Sequence, residues 1–120
     1  MNKKEQKKIL SIVSPVYNEA ENLDEFYSRV INATDNLNLE IEIIYINDGS
    51  KDRTIDIITK QRQIDNRITI IDLSRNFGKE IALTAGLDYS SGDAVIVIDT
   101  DLQDPPELIP KLVEKWREGY

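Results

Sequence analysis

The chain has 120 residues, the size of one domain, and 40% hydrophobic content is enough to build a core; 22 acidic against 15 basic residues leave a formal charge of −7. That balance argues against nucleic acid as a partner, because such binding neutralises phosphates with Lys and Arg. With no Cys and no His, disulfides, thiolate or imidazole zinc sites and every catalytic device built on those side chains are excluded, which leaves carboxylates, a metal, Lys and Arg.

The first eight residues carry four lysines and read as a solvated basic tail, with the domain proper running over 9–120. Ile9 to Val13 is the first predicted strand, closed by Ser14-Pro15, because Pro15 cannot donate a ladder hydrogen bond and is expected to stop the sheet. From Glu21 the apolar residues Leu23, Phe26, Tyr27, Val30, Ile31 and Leu37 recur at helical spacing, with Asn18 or Glu19 placed to begin the turn. Glu40 to Ile46 is rich in Ile and reads as the second strand, followed by the loop Asn47-Asp48-Gly49-Ser50. A second helix is predicted from Asp52 or Thr54 to about Asn66, burying Ile55, Ile58 and Ile64. Ile68 to Leu73 is the third strand, and Ser74-Arg75-Asn76-Phe77-Gly78 is the next loop. A third helix runs from Lys79 to about Tyr89, apolar at Ile81, Leu83, Ala85 and Leu87. Val95 to Ile98 reads as a buried strand with no polar face. A last helix starts at Pro106, the favoured first helical residue, and buries Leu108, Ile109, Leu112, Val113 and Trp116.

Strands alternate with helices, so the expected fold class is α/β: a mostly parallel sheet with right-handed crossovers and helices on both faces. The chain stops just after a helix, where the alternation calls for another strand, so it reads as the amino-terminal part of a longer protein. No apolar run approaches the ~20 residues that cross a bilayer, the first eight residues lack the apolar core of a signal peptide, and the stretch is expected to be soluble. Absence of Cys fits a reducing compartment.

In such a sheet the strand-to-helix loops open on one edge. Asp99, Asp101 and Asp104 crowd into six residues after the fourth strand, where repulsion is unfavourable unless a cation or hydrogen-bond donors offset it. Hard oxygen donors of this kind suit Mg²⁺ or Mn²⁺; equally, acidic residues favour turns and helix starts. Arg75 and Lys79 flank a helix start, whose free amides attract anions, or are plain surface charges. Tyr17 is either a core residue or a stacking platform. An aromatic face, hydroxyl acceptors, cationic donors and a metal cage together fit a nucleoside diphosphate.

Val13-Ser14-Pro15-Val16-Tyr17-Asn18-Glu19, Asn47-Asp48-Gly49-Ser50-Lys51-Asp52-Arg53-Thr54, Arg75-Asn76-Phe77-Gly78-Lys79 and Asp99-Thr100-Asp101-Leu102-Gln103-Asp104-Pro105-Pro106-Glu107, in this order, resemble family 2 glycosyltransferases, above all the polyprenyl-phosphate glycosyltransferases such as bactoprenol glucosyltransferases and dolichyl-phosphate mannose synthases. The resemblance implies a GT-A fold truncated at the carboxyl end and a nucleotide-sugar donor, UDP-sugar favoured. It makes Asp99 and Asp101 the catalytic Asp-x-Asp pair and metal ligands for Mg²⁺ or Mn²⁺, with Gln103 as a further ligand. Pro15, Tyr17, Glu19 and Asp48 would hold base and ribose; Arg75 and Lys79 would lie near the nucleotide, and Asn18 and Thr100 are counted with them. The implied acceptor is a polyprenyl phosphate, met by parts of the protein beyond Tyr120, on the cytoplasmic side and in a membrane-associated parent. The exposed sheet edge of such a fragment favours a homo-oligomer. The other readings are a Mg²⁺-dependent phosphohydrolase with an aspartate nucleophile, and a folded fragment without catalysis; a dinucleotide-binding domain is disfavoured because no Gly-x-Gly-x-x-Gly follows the first strand.

Overall fold

A computed structural model describes residues 7–101 and 103–119; Met1–Gln6 of the basic tail, Leu102 of the acidic motif and Tyr120 lie outside the described residues. Four strands and four helices alternate: β1 (Ile9–Val16), α1 (Leu23–Thr34), β2 (Glu40–Asn47), α2 (Thr54–Ile64), β3 (Ile68–Asp72), α3 (Lys79–Tyr89), β4 (Ala94–Val97) and α4 (Ile109–Arg117), the last entered through a 3-10 turn at Pro106–Leu108. All pairings are parallel and the strand order is β3-β2-β1-β4. The order reverses direction between β1 and β4, which makes their carboxyl ends the switch point where an open α/β sheet leaves a crevice.

The alternating side chains of β1 and β2 divide the core into two layers. Leu10, Ile12, Ile43 and Tyr45 face α1, α2 and α4, whose Leu23, Phe26, Val30, Ile58, Ile109 and Val113 close over them. Val13, Ile44 and Ile46 face the other way and meet Ala82 of α3. Helices therefore lie on both faces, three against one. α1 buries Leu23, Phe26, Val30 and Thr34, a single stripe at helical spacing. Gln61 of α2 is buried but satisfied: it accepts from the Tyr45 hydroxyl (2.7 Å) and donates to Leu23 O (3.1 Å), so one amide joins β2, α2 and α1. Beyond it, Arg67 pairs with Asp65 (2.8 Å) and the Tyr27 hydroxyl donates to the same carboxylate (2.6 Å), which together hold Asp65 well below the usual carboxylate range.

Several expectations are corrected. The sheet does not stop at Pro15: β1 runs on to Val16, paired with Asn47. Successive residues of a parallel strand address opposite neighbours. Val16 O accepts from Asp48 N on the β2 side, and Val13 O accepts from Ile98 N on the β4 side. Pro15 therefore presents its missing N–H toward β4, whose pairing has already ended at Val13↔Val97, and no ladder bond is lost. Ile64 is 80% exposed, because the buried face of α2, after Thr54, Ile58 and Gln61, continues through Asp65. Ile55 is only partly buried. Leu108 and Leu112 are about half exposed, and the fourth strand is not buried: it alternates, with Val95 and Val97 exposed and Ala94 and Ile96 partly buried. The buried positions of α3 are Ala82 and Gly86, while Ile81 and Leu87 face out. A Cβ on Gly86 would stand 2.5 Å from Ile46 Cδ1 and 2.6 Å from Val13 Cγ1, so this helix rests on the sheet through its smallest residues. Among the described residues no helix is long and apolar enough to cross a membrane.

Candidate active site

Four loops meet at the carboxyl edge, and side-chain to backbone hydrogen bonds fix them to one another. Asn18 ties the first loop to the second, donating from its N to Ser50 Oγ (3.0 Å) and accepting at Oδ1 from Lys51 N (2.8 Å). It does so at φ 53°, a left-handed conformation that Asn tolerates better than most residues. Glu19 N donates to Thr54 Oγ1 (3.0 Å) and Ala20 N to Asp52 Oδ2 (3.2 Å). Burial would raise the Asp52 pKa, but the hydrogen bonds from Thr54 and Ala20 outweigh it and hold the carboxyl below its ordinary value. Asp48, 3% exposed, grips the third loop by accepting from Phe77 N (2.7 Å) and Gly78 N (3.1 Å). The two loops approach so closely at Gly49 (φ 68°) that a Cβ there would lie 2.3 Å from Asn76 N. The Ser14 hydroxyl donates to Ile98 O and anchors the root of the fourth loop on β1.

These ties frame a cavity of about 250 Å³ at the switch point, lined by Pro15, Val16, Tyr17, Glu19, Asp48, Lys79, Asp99, Thr100 and Asp101. Of the residues singled out in the sequence, eight are thus brought to one cavity and three are not. Asn18 spends its polar groups on the loop junction. Arg75 turns its guanidinium onto the Phe77 ring, 4.7 Å from the centroid, and lines the neighbouring cleft with Asn47 and Ser50. Gln103 is exposed, and its backbone N donates to Asp101 Oδ1 (3.1 Å). A larger concavity of about 400 Å³ at Lys7, Lys8, Leu39 and Trp116 is lined by no carboxylate among the described residues, so the chemistry favours the switch point.

Two features of the cavity point to a ligand. Lys79 Nζ sits 2.8 Å from Asp99 Oδ2, an ammonium on the first carboxylate of the motif; the hydrogen bond to Asp99, with Asp101 and Asp104 nearby, raises the lysine pKa above its ordinary value. Thr100 is 1% exposed, and its Oγ1 is, among the described residues, a buried side-chain oxygen with no hydrogen-bond partner. Such a group is costly unless something outside the chain completes it. The donor set is hard oxygen, Asp99 already attracts a cation, and Asp101 lines the same cavity, so these residues fit a divalent ion. Among the described residues no three His, Cys, Asp or Glu cluster to hold a metal by themselves. Two protein carboxylates leave much of the coordination to water and to a ligand's own oxygens, the usual habit of Mg²⁺ with phosphates.

Sequence reasoning singled out Asp48 as a nucleotide contact; its grip on Phe77 and Gly78 was not legible, nor was the anchoring by Ser14 and Thr54. A buried Ser or Thr beside a loop gives no periodicity signal, and its partner is fixed only by the fold.

Residues 11–120 match the family described as Glycosyl transferase family 2. Among curated proteins, the bactoprenol glucosyl transferase of Shigella phage SfV is 52% identical over 110 residues, 92% of this chain and 36% of that protein. The chain thus spans about a third of the length of the curated relatives it matches. Among solved structures, residues 1–349 of S. aureus TarS superpose with a TM-score of 0.75 at 21% identity, over 94% of this chain and 33% of that one, a likeness of fold. Glucosyl-3-phosphoglycerate synthase from Mycobacterium tuberculosis, in complex with Mn²⁺, UDP-glucose and phosphoglyceric acid, gives 0.64 at 28% identity, over 93% of this chain and 40% of that one.

Proposed function

The chain belongs to glycosyl transferase family 2 and has the GT-A fold, and from that premise we propose that it forms the donor-binding part of an inverting enzyme that moves a sugar from a nucleoside diphosphate to a polyprenyl phosphate with a divalent ion. The observation that carries the reading is the cavity at the switch point, where Asp99, Asp101 and Lys79 meet a buried Thr100 hydroxyl that has no partner among the described residues. Asp99 and Asp101 would hold Mg²⁺ or Mn²⁺, and Gln103, exposed beside the cavity, would join them only by turning its side chain inward; the ion would supply Lewis-acid stabilisation of the departing nucleotide. Tyr17, 43% exposed, and Pro15 offer the base a flat apolar seat. Glu19 and the lone pairs that Asp48 has left accept from base or ribose, Thr100 completes its hydroxyl on the same ligand, and Lys79 faces the phosphates, with Arg75 in the neighbouring cleft near the nucleotide. Asn18 holds the loop that carries Tyr17.

An acceptor phosphate is already ionised at neutral pH, so transfer needs little help from a general base, which suits a chain without His. The polyprenyl acceptor is supported by the bactoprenol relatives, and the uridine donor by the UDP-glucose complex of the synthase. Such an acceptor puts the parent protein at the cytoplasmic side of a membrane.

Mn²⁺ together with UDP is expected to raise the melting temperature by several degrees through mass action on the folded state, more than Mn²⁺ with GDP or either component alone. Asp101→Ala should abolish the shift while melting alone at the parent temperature. Failure of both diphosphates to shift the parent, or an Asp101→Ala protein that responds as the parent does, overturns donor binding.

A further inference from the structure

The cavity is acidic: Glu19, Asp48, Asp99 and Asp101 line it, and Lys79 is the lining cation. A diphosphate brought against those carboxylates would be repelled unless cations lie between them, yet Lys79 is already occupied on Asp99. Its backbone is fixed at the first residue of α3, where Ala82 N donates to Gly78 O, so only the side chain is free to change partner. That side chain is 62% exposed, a flexible four-carbon stem ending in a point charge. Exposed ion pairs of this kind are weak and exchange partners cheaply.

We propose that Lys79 is an internal counter-ion, holding Asp99 while the cavity is empty and passing to the donor's diphosphate as the divalent ion takes over the carboxylate. The proposal rests on the reading of the site as a metal-assisted nucleotide site and adds to it a coupling between the two ligands. In the empty site the ammonium competes with the metal for Asp99, so the ion alone binds weakly. A diphosphate draws the ammonium away and brings its own oxygens, so each ligand improves the affinity for the other by the same factor. The exchange moves no proton and breaks no covalent bond.

The test is a Mn²⁺ titration followed by the electron paramagnetic resonance of the free ion, with and without UDP, on the parent, Lys79→Met and Lys79→Arg. Lys79→Met should bind Mn²⁺ alone about two- to fivefold more tightly than the parent, the scale of one exposed ion pair. It should bind UDP more weakly in the presence of Mn²⁺, and the factor by which UDP improves Mn²⁺ binding should shrink. Lys79→Arg, which keeps a cation at the position, should retain most of the coupling. A residue that only stabilised α3 would lower the melting temperature and leave Mn²⁺ affinity unchanged or weaker. Unchanged or weaker Mn²⁺ binding by Lys79→Met overturns the counter-ion role and leaves the reading of function standing. Tighter Mn²⁺ binding with unaltered UDP affinity overturns the transfer to phosphate. A parent that binds Mn²⁺ and never UDP overturns the transfer and the functional reading together.

Discussion

The two faces of the sheet are built on different terms. Toward α1, α2 and α4, large side chains interlock: Phe26 packs its ring 6.3 Å from that of Tyr45, both fully buried, and Leu10, Ile12, Ile43 and Ile58 complete the layer. Toward α3 the contact is thin, with Ala82 and Gly86 resting on Val13 and Ile46, while Val95 (39% exposed) and Val97 (43%) of β4 stay partly open. The first face holds the fold by volume, the second by closeness of approach. Lys79, at the head of the thinly packed helix, reaches across to Asp99 in the loop that follows β4. Stability concentrates on one side of the sheet, and the ligand-facing cation stands on the other.

Substitutions separate the two faces by magnitude. On the thick face, Phe26→Ala removes a fully buried ring and should cost about 3–5 kcal/mol in a urea titration. That is a large share of the whole stability of a domain this size, so binding of UDP should be lost with the fold. On the thin face the sign itself is informative. Gly86→Ala gains up to about 1 kcal/mol of helix propensity but forces a methyl against Val13 and Ile46, and overpacking of that kind costs about 1–3 kcal/mol. Ile46 Cδ1 can swing away, whereas Val13 Cγ1 moves only if its whole side chain rotates, so the net expectation is a loss of about 1–2 kcal/mol. A Gly86→Ala protein more stable than the parent would mean that α3 is free to lift off the sheet, and the contrast between the faces would fail.

The same contrast explains what could be read from the sequence. Large residues advertise themselves by period: Leu23, Phe26 and Val30 at helical spacing, and the Ile-rich run of β2, place α1, β2 and the thick layer with no structural help. Small residues do not. Ala82 and Gly86 carry almost no hydrophobic signal, so the apolar reading of α3 falls on Ile81 and Leu87, which face outward. Pro15 misleads in the same way, since its composition says where a ladder bond is missing but not which neighbour would have needed it. At the carboxyl edge the residue types were legible, because acids, an aromatic and a lysine follow strands in succession. Their division of labour was not: whether Asn18 or Asp48 spends its oxygens on backbone amides or on a ligand depends on how near another loop comes, which no spacing within one loop encodes.

The smallest expected effect lies at β4. Val97→Thr keeps the shape and β propensity of the side chain, and at 43% exposure it should change stability by no more than about 0.5 kcal/mol, far below the Phe26 effect. The contrast depends on this face being open in the isolated chain. If Val97→Thr instead costs more than about 1 kcal/mol, and the melting temperature of the parent rises with protein concentration while that of the variant does not, then a second copy covers Val95 and Val97 and the thin face is an interface. Sedimentation of both proteins over the same concentrations separates the cases: a parent that stays monomeric with a destabilised variant would instead mean that the uncovered strand is held by packing within its own chain, and that the two faces are more alike than their exposures imply.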